Sequence, residues 1–332
     1  MKIKSALLLL IAAVLIMGGC AGTSAPGNSG LQTLNTHPPV ATPAPAPEGV
    51  MADAVSGRFA LYNGNLYYAS SDSICVLENN AQSTRVLALA DTPSRLTVID
   101  GVLYYLAVAQ RDDNFSPSSY TVNSINLETG ELLGLAYCEQ NWYYIYNGSV
   151  YTLGEEGIYA QEIGQEEQSL VMDGFITSPS GLENNVFMSL GEDLAVYNIS
   201  SGQYEILLEG AAPMNITPLE DGLLYSDEVS EYMYFYDYES GRSELLNGAP
   251  NYGVTIYEGK YYYVSNDGTA ALYMLSDGSS GEKVLELGEL LACSAPCFMG
   301  EYTYFVIHAD DYIGLVRYDQ SGVQTRLSAA GG

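Results

Sequence analysis

Forty carboxylates and two histidines are the ionisable groups from which this chain could build a reaction, and what accompanies them excludes the familiar ones. Only 11 Lys and Arg oppose the acids, for a formal charge of −29. His37 lies in a Pro-rich stretch, so His308 is the single imidazole of any folded part. No Gly-x-Ser-x-Gly elbow offers it a nucleophile. His-Glu-x-x-His pairs, clustered zinc ligands and a phosphate-cradling Gly-Lys loop are also missing. Beside Asp310 and Asp311, His308 reads as a surface ion-pair residue. Two carboxylates that face each other only in the folded state would leave no mark in sequence. No catalytic residue is therefore assigned, and what the acids do depends on the elements that carry them.

Those elements are set by an internal repeat. Asn63-Gly64-Asn65-Leu66-Tyr67-Tyr68 is followed by Asp100-Gly101-Val102-Leu103-Tyr104-Tyr105 and Asn147-Gly148-Ser149-Val150-Tyr151. Asn184-Asn185-Val186-Phe187, Asp221-Gly222-Leu223-Leu224-Tyr225, Glu258-Gly259-Lys260-Tyr261-Tyr262-Tyr263 and Gly300-Glu301-Tyr302-Thr303-Tyr304 complete the series. Turn positions 64, 101, 148, 184, 222, 259 and 300 lie 37, 47, 36, 38, 37 and 41 residues apart. Asn-Gly and Asp-Gly between alternating apolar runs are the hairpin dipeptides, since both central residues of a type I′ turn need φ > 0. At the fourth copy Asn184 is expected to take the left-handed conformation that Gly takes elsewhere.

A second hairpin follows in each copy, as in Ile125–Leu132, Val196–Gly202, Phe235–Gly241 and Leu315–Gly322, with looser versions around Asn79, Gly164 and Gly281. Four strands per unit with no helical periodicity predict an all-β propeller of seven four-stranded blades, filling about 58 to 329. The recurring Tyr side chains have two readings, sugar-stacking platforms or blade-to-blade packing. Recurrence at one blade position favours packing.

In that architecture the second-to-third strand loops and the blade-to-blade connections open on one face. The loops hold Asp72, Asp112 and Asp113, Glu155 and Glu156, Glu192 and Asp193, Asp227 and Glu228, Asp267, and Asp310 and Asp311. Asp is an ordinary turn residue, so these acids read as loop chemistry and solubility. The sharper reading is an acidic rim that attracts a basic partner or a divalent cation such as calcium. No Asp-x-Asp-x-Asp-Gly loop marks a dedicated calcium site, and no other cofactor is expected. Nucleic acid is excluded as a partner for want of a Lys/Arg footprint.

The repeat resembles the YWTD-type propeller of LDL-receptor-like proteins, and more closely the looser version in bacterial lipoproteins, with Leu224-Tyr225-Ser226-Asp227 the nearest match to the signature. Most copies lack the Trp and several the Asp, and LDL-receptor-type propellers have six blades. The resemblance implies a binding or scaffolding module and not an enzyme.

At the N-terminus Lys2 and Lys4 precede an apolar and small run from Ala6 to Gly19, then Cys20. Such a run is too short for a mature membrane span and fits a secretory signal. Met17-Gly18-Gly19-Cys20 resembles a bacterial lipobox, with Met in place of the usual Leu, which implies cleavage before Cys20 and lipidation of its thiol. The expected organisation is a signal peptide at 1–19, lipidated Cys20 with a Pro/Ala/Gly/Ser/Thr-rich linker at 20–50, and the propeller at 51–332. Cleavage removes two Lys and leaves −31, so acyl chains and not charge must hold the protein to anionic lipid.

Of the remaining cysteines, Cys293 and Cys297 lie too far apart along a straight strand to bridge, about 13 Å. Only a bend at Ala295-Pro296 would bring them together. Disulfides and buried thiols both remain open for Cys75, Cys138, Cys293 and Cys297. Asn-x-Ser/Thr triplets at Asn114, Asn147, Asn198 and Asn215 read as loop composition. The functional expectation is a monomeric, lipid-anchored lipoprotein at the cell membrane, facing the extracytoplasmic side and binding or scaffolding an envelope protein or glycan. The alternative is a cation-dependent hydrolase or lyase with its site at the central channel.

Overall fold

The computed structural model describes residues 57–78, 82–112, 116–246, 254–266, 269–275, 281–309 and 312–327. The signal peptide, Cys20 and the linker therefore lie outside the described residues, as do Asn79, Asp113, Asn114, Asp267, Asp310 and Asp311.

Seven antiparallel sheets follow one another along the chain, each with its strands in sequence order. Blade 1 is β1 (Phe59–Tyr62), β2 (Asn65–Ala69), β3 (Ser73–Glu78) and β4 (Gln82–Ala88). Blade 2 is β5 (Ser94–Ile99), β6 (Val102–Arg111), β7 (Pro117–Asn126) and β8 (Leu132–Cys138), and blade 3 is β9 (Tyr143–Tyr146), β10 (Ser149–Leu153), β11 (Gly157–Glu162) and β12 (Ser169–Asp173). Blade 4 is β13 (Ile176–Leu182), β14 (Asn185–Leu190), β15 (Asp193–Asn198) and β16 (Gln203–Leu208), and blade 5 is β17 (Pro213–Pro218), β18 (Gly222–Asp227), β19 (Met233–Asp237) and β20 (Arg242–Leu245). Blade 6 is β21 (Val254–Tyr257), β22 (Lys260–Asn266), β23 (Ala270–Leu275) and β24 (Glu282–Gly288). Blade 7 splits its first strand into β25 (Ala292–Cys293) and β26 (Cys297–Met299), both paired with β27 (Tyr302–Ala309), and ends with β28 (Tyr312–Tyr318) and β29 (Gln324–Leu327). The fold is the expected seven-bladed β-propeller.

The double aromatic step explains how blades stack. Successive strand residues point to opposite faces, so Tyr68 enters the core shared with blade 7 while Tyr67 enters the core shared with blade 2. In β6, Tyr105 joins the blade 1–2 core and Tyr104 the blade 2–3 core. In β27, Tyr304 packs towards blade 1 and Phe305 towards blade 6. Each of the seven apolar clusters lies between two neighbouring blades, none inside a single sheet. The repeated aromatics are packing residues, the reading that recurrence favoured.

Among the described residues every blade contains only its own consecutive strands, with none exchanged between first and last blades. Among the described residues the ring is closed by side-chain packing. Phe59, Leu66, Tyr68, Cys75 and Leu77 of blade 1 pack against Cys297, Tyr304 and Leu315 of blade 7.

Turn chemistry holds in blades 1, 2, 3 and 6. Asn63 and Gly64 (φ 51° and 76°), Asp100 and Gly101 (48° and 77°), Asn147 and Gly148 (46° and 78°), and Glu258 and Gly259 (51° and 70°) are left-handed pairs. Two copies differ. In blade 4 the positive φ falls on Glu183 (51°) and not on Asn184, correcting the expectation. Asn184 uses its side chain instead, Oδ1 accepting from the N–H of Ser200 (3.0 Å) and its hydroxyl (2.7 Å). In blade 5, Pro218 pairs with Leu223 across a longer loop, and Gly222 does not adopt positive φ. A Cβ there would strike the Tyr236 carbonyl and the Phe235 ring, so Gly222 is fixed by close approach and not by turn type.

The cysteine question also resolves. The chain does break at Ser294-Ala295-Pro296, yet all four described cysteines are thiols. Burial pushes the thiols of Cys138 and Cys297 up to about 12. The break is held by Ser294, whose Oγ accepts from the Val306 N–H (3.0 Å), and by the Pro296 carbonyl, which accepts from Thr255 Oγ1 (2.7 Å).

Candidate functional site

Strand order in each blade puts the second-to-third hairpins and the blade-to-blade connections at the same end, and backbone bonds tie the two sets together. The carbonyl of Asp72 accepts from Leu89 (2.7 Å), that of Glu156 from Gly174 (3.0 Å) and that of Glu192 from Ala212 (2.7 Å). The Ala212 carbonyl in turn accepts from Glu228 (3.0 Å), and the Phe175 carbonyl from Gly191 (3.0 Å). A knitted hairpin face results.

The described rim acids all stand on this face: Asp72 after β2, Asp112 after β6, Glu155 and Glu156 after β10, Glu192 before β15 with Asp193 its first residue, and Asp227 the last residue of β18 with Glu228 after it. Several Asp carboxylates bond N–H groups on this face, as does Glu139, whose Oε2 accepts from the Glu155 N–H (2.7 Å). Asp112 Oδ1 accepts from the Ser116 N–H (2.8 Å), and Asp193 Oδ1 from the Gly210 N–H (2.8 Å). Asp227 Oδ1 accepts from the N–H groups of Ser230 and Val229, which holds its carboxyl below the usual carboxylate range. Asp112 and Asp227 cap their own loops, the ordinary turn role, and Asp193 ties the blade 4 hairpin to the connection that follows blade 4. Glu155, Glu192 and Glu228 are exposed, while exposed Glu156 accepts from Tyr159 OH (3.2 Å).

The YWTD-like stretch has the same structural meaning. Tyr225 is buried in the blade 4–5 core, stacked on Tyr234 at 5.5 Å between ring centroids, and donates to Ser243 Oγ (3.0 Å). Asp227 closes the loop that follows.

The opposite face repeats a separate device. In blades 2, 4, 5 and 7 an Asn or Asp at the end of the third strand receives the N–H of a residue three on and of the Gly beyond, or in blade 7 the Ser two on. The acceptor is Asn126, Asn198, Asp237 and Asp319 in turn. The Ser240 hydroxyl and N–H lower the Asp237 pKa, and the Ser321 hydroxyl followed by the Val323 N–H lower that of Asp319. Asn147 and Asn198, two of the glycosylation-like triplets, are thus turn and cap residues.

His308 is half-buried in β27, and its carbonyl accepts from Leu291 (2.8 Å). Among the described residues no group of three His, Cys, Asp or Glu side chains is placed to hold a metal ion.

Two features of the hairpin face escaped motif reading. Residues 112–241 contain 23 of the 40 acids and no Lys, Arg or His. The basic residues on this face belong instead to blades 1 and 2, where Arg58 donates to the Pro93 carbonyl (3.2 Å), Arg95 to the Asn141 carbonyl and Arg111 to Asp91. Of the large apolar side chains exposed in the base-free sector, Val229 (86% exposed), Phe175 (75%) and Tyr232 (47%) stand on the loops and connections of this face.

No family model and no curated protein matches the sequence. Solved structures do. A puromycin-hydrolysing peptidase of Mycobacterium tuberculosis superposes with TM-score 0.56 at 11% identity, over 90% of this chain and 57% of that one. PorZ, a surface component of the type-IX secretion system of Porphyromonas gingivalis, gives 0.54 at 11%, over 86% and 39%. A nidogen/laminin complex gives 0.45 at 16%, over 79% and 91%, too loose to carry an argument. The chain spans well under two thirds of the peptidase and of PorZ, and at these identities the likeness shows the fold alone. A fold shared by a hydrolysing enzyme and a secretion component does not choose between them.

Proposed function

We propose that the protein is a lipoprotein of the YWTD-like kind, anchored at Cys20 on the extracytoplasmic side of the cell membrane, whose propeller is a non-catalytic binding or scaffolding module for an envelope protein or glycan. The observation that carries this reading is the division of labour in the ring. The strand faces are used up in blade-to-blade packing, and the knitted hairpin face is left as a preordered surface with acids and apolar side chains directed to solvent. Rigid loops on a scaffold are where binding residues concentrate. The likeness to PorZ is compatible with work at a bacterial surface. The alternative, a cation-dependent hydrolase or lyase at the channel, needs convergent ligands, and no observation on the described residues favours it.

The test is capture from envelope extract by the full-length protein, with membrane fractionation of Cys20→Ala alongside. The expected result is a saturable envelope partner for the wild type and loss of membrane association, or of processing, for the variant. A processed variant that stays on membranes overturns the anchor. Failure to capture any partner, together with turnover of an envelope polymer, overturns the binding module.

A further inference from the structure

Val229, Phe175 and Tyr232 hold large apolar groups in water on the loops of the hairpin face, where such contact is costly. They are also held still. Phe175 is joined to the blade 4 hairpin through the Gly191 bond, that hairpin to the Ala212 connection through Glu192, and Ala212 to the blade 5 hairpin through Glu228. Within the last hairpin Asp227 binds the Val229 and Ser230 N–H groups. Little conformational freedom is therefore left to lose on binding.

The surrounding charge selects the occupant. Exposed Glu156, Glu192 and Glu228 stand on the same run of loops, and no Lys, Arg or His occurs from residue 112 to 241. An anionic field of one sign repels an anionic lipid surface, nucleic acid and a second copy of this −29 chain, and it speeds the approach of a cation. Exposed apolar side chains within such a field suit one chemistry. We propose that the hairpin face of blades 3 to 5 docks a Lys/Arg-rich polypeptide segment of a partner protein, whose apolar side chains cover Phe175, Val229 and Tyr232 while its cations meet the glutamates. The proposal rests on the binding-module reading and names its surface. Blades 1 and 2 are not part of it, because Arg58, Arg95 and Arg111 interrupt the field there.

The test uses the full-length protein in nonionic detergent with detergent-only blanks, and fluorescence anisotropy of a labelled peptide alternating Lys and Leu. Control peptides carry Glu for Lys or Ser for Leu. The Lys-Leu peptide is expected to bind, the Ser control at least tenfold more weakly, and the Glu control not at all. Phe175→Ser with Val229→Ser should weaken binding at least tenfold with an unchanged unfolding midpoint, since both side chains are already in water. Glu156→Gln with Glu192→Gln and Glu228→Gln should weaken it and flatten its salt dependence. Unchanged binding by the Phe175/Val229 variant, an equal effect from Asp72→Asn with Asp112→Asn, or displacement by spermine as effective as by unlabelled peptide would each overturn the proposal. If the Phe175/Val229 variant still captures the envelope partner at wild-type strength, this surface is wrong and the binding module stands. If the peptide behaves as expected while no envelope partner is found, the surface stands and the cellular role falls.

Discussion

Side-chain packing closes the described ring between blades 7 and 1 and makes that seam open to a decisive perturbation. Leu66 is fully buried there, packed with Tyr68, Tyr304 and Leu315, so Leu66→Ala removes methyl groups from a filled core and leaves a cavity. Such truncations cost about 2–5 kcal/mol. At roughly 2–4 °C per kcal/mol for a domain of this order, a loss of about 3 kcal/mol lowers the melting midpoint by about 6–12 °C. In a closed ring every blade depends on two neighbours, and the loss is felt everywhere. In an open stack it would free only a terminal unit.

The chain carries its own reporter. Trp142, the single Trp, is 3% exposed in the core between blades 3 and 4, away from the seam. Trp142 fluorescence and far-UV circular dichroism of Leu66→Ala should shift together, by as much as in Leu103→Ala, whose site is fully buried in the blade 1–2 core. A Trp142 transition left at the wild-type midpoint, with circular dichroism lost in an earlier separate step, would refute closure.

Two further outcomes follow from the turns. Gly222→Ala drives a Cβ into the Tyr236 carbonyl and should cost about 3 kcal/mol or more, whereas Gly259→Ala meets open space and bears only left-handed strain, about 1–2 kcal/mol; urea titration giving equal midpoints for the two would show that close approach at Gly222 is not what selects Gly. Asp237 and Asp319 have pKa values lowered by their hydrogen bonds, so the folded state binds fewer protons than the unfolded; their stabilisation is complete above the ordinary value of 3.8 and is lost as pH falls through the lowered one. Asp237→Asn with Asp319→Asn should keep the caps, since blades 2 and 4 already use Asn126 and Asn198 there, and should flatten the acid limb of unfolding; an undiminished slope in stability against pH would place the acid sensitivity elsewhere.

The blade count was legible because aromatic pairs such as Tyr67-Tyr68 and Tyr104-Tyr105 impose period-2 alternation on strands buried on both faces, and each follows an Asn-Gly or Asp-Gly turn. The local details that escaped are those decided by contacts distant in sequence. Asp221-Gly222 is the same dipeptide type as Asp100-Gly101, yet Tyr236 and Phe235 decide what Gly222 does. Asn184 is suited to positive φ, but its bonds to Ser200, sixteen residues on, give its side chain other work and leave the left-handed position to Glu183. Ser294-Ala295-Pro296 reads as a bend, but the bonds to Val306 and Thr255 that hold it come from other strands.

At the rim, sequence supplied positions and sign but not the partition between them. A carboxylate on one methylene reaches the N–H groups of its own loop at Asp112 and Asp227, and that of the neighbouring connection at Asp193. A second methylene carries Glu192 and Glu228 past those donors into water. Equal charges at neighbouring positions thus have unequal roles, one setting the loop and the other setting the field. The want of cations from 112 to 241 is visible in the sequence, but it gains direction only when blades 3 to 5 become one sector of a ring, with Arg58, Arg95 and Arg111 in blades 1 and 2 at its edge. Phe175 and Val229 were the least legible, because an apolar residue beside a strand is expected to point inward. Their exposure emerges only in the fold, where backbone bonds fix loop to connection around them.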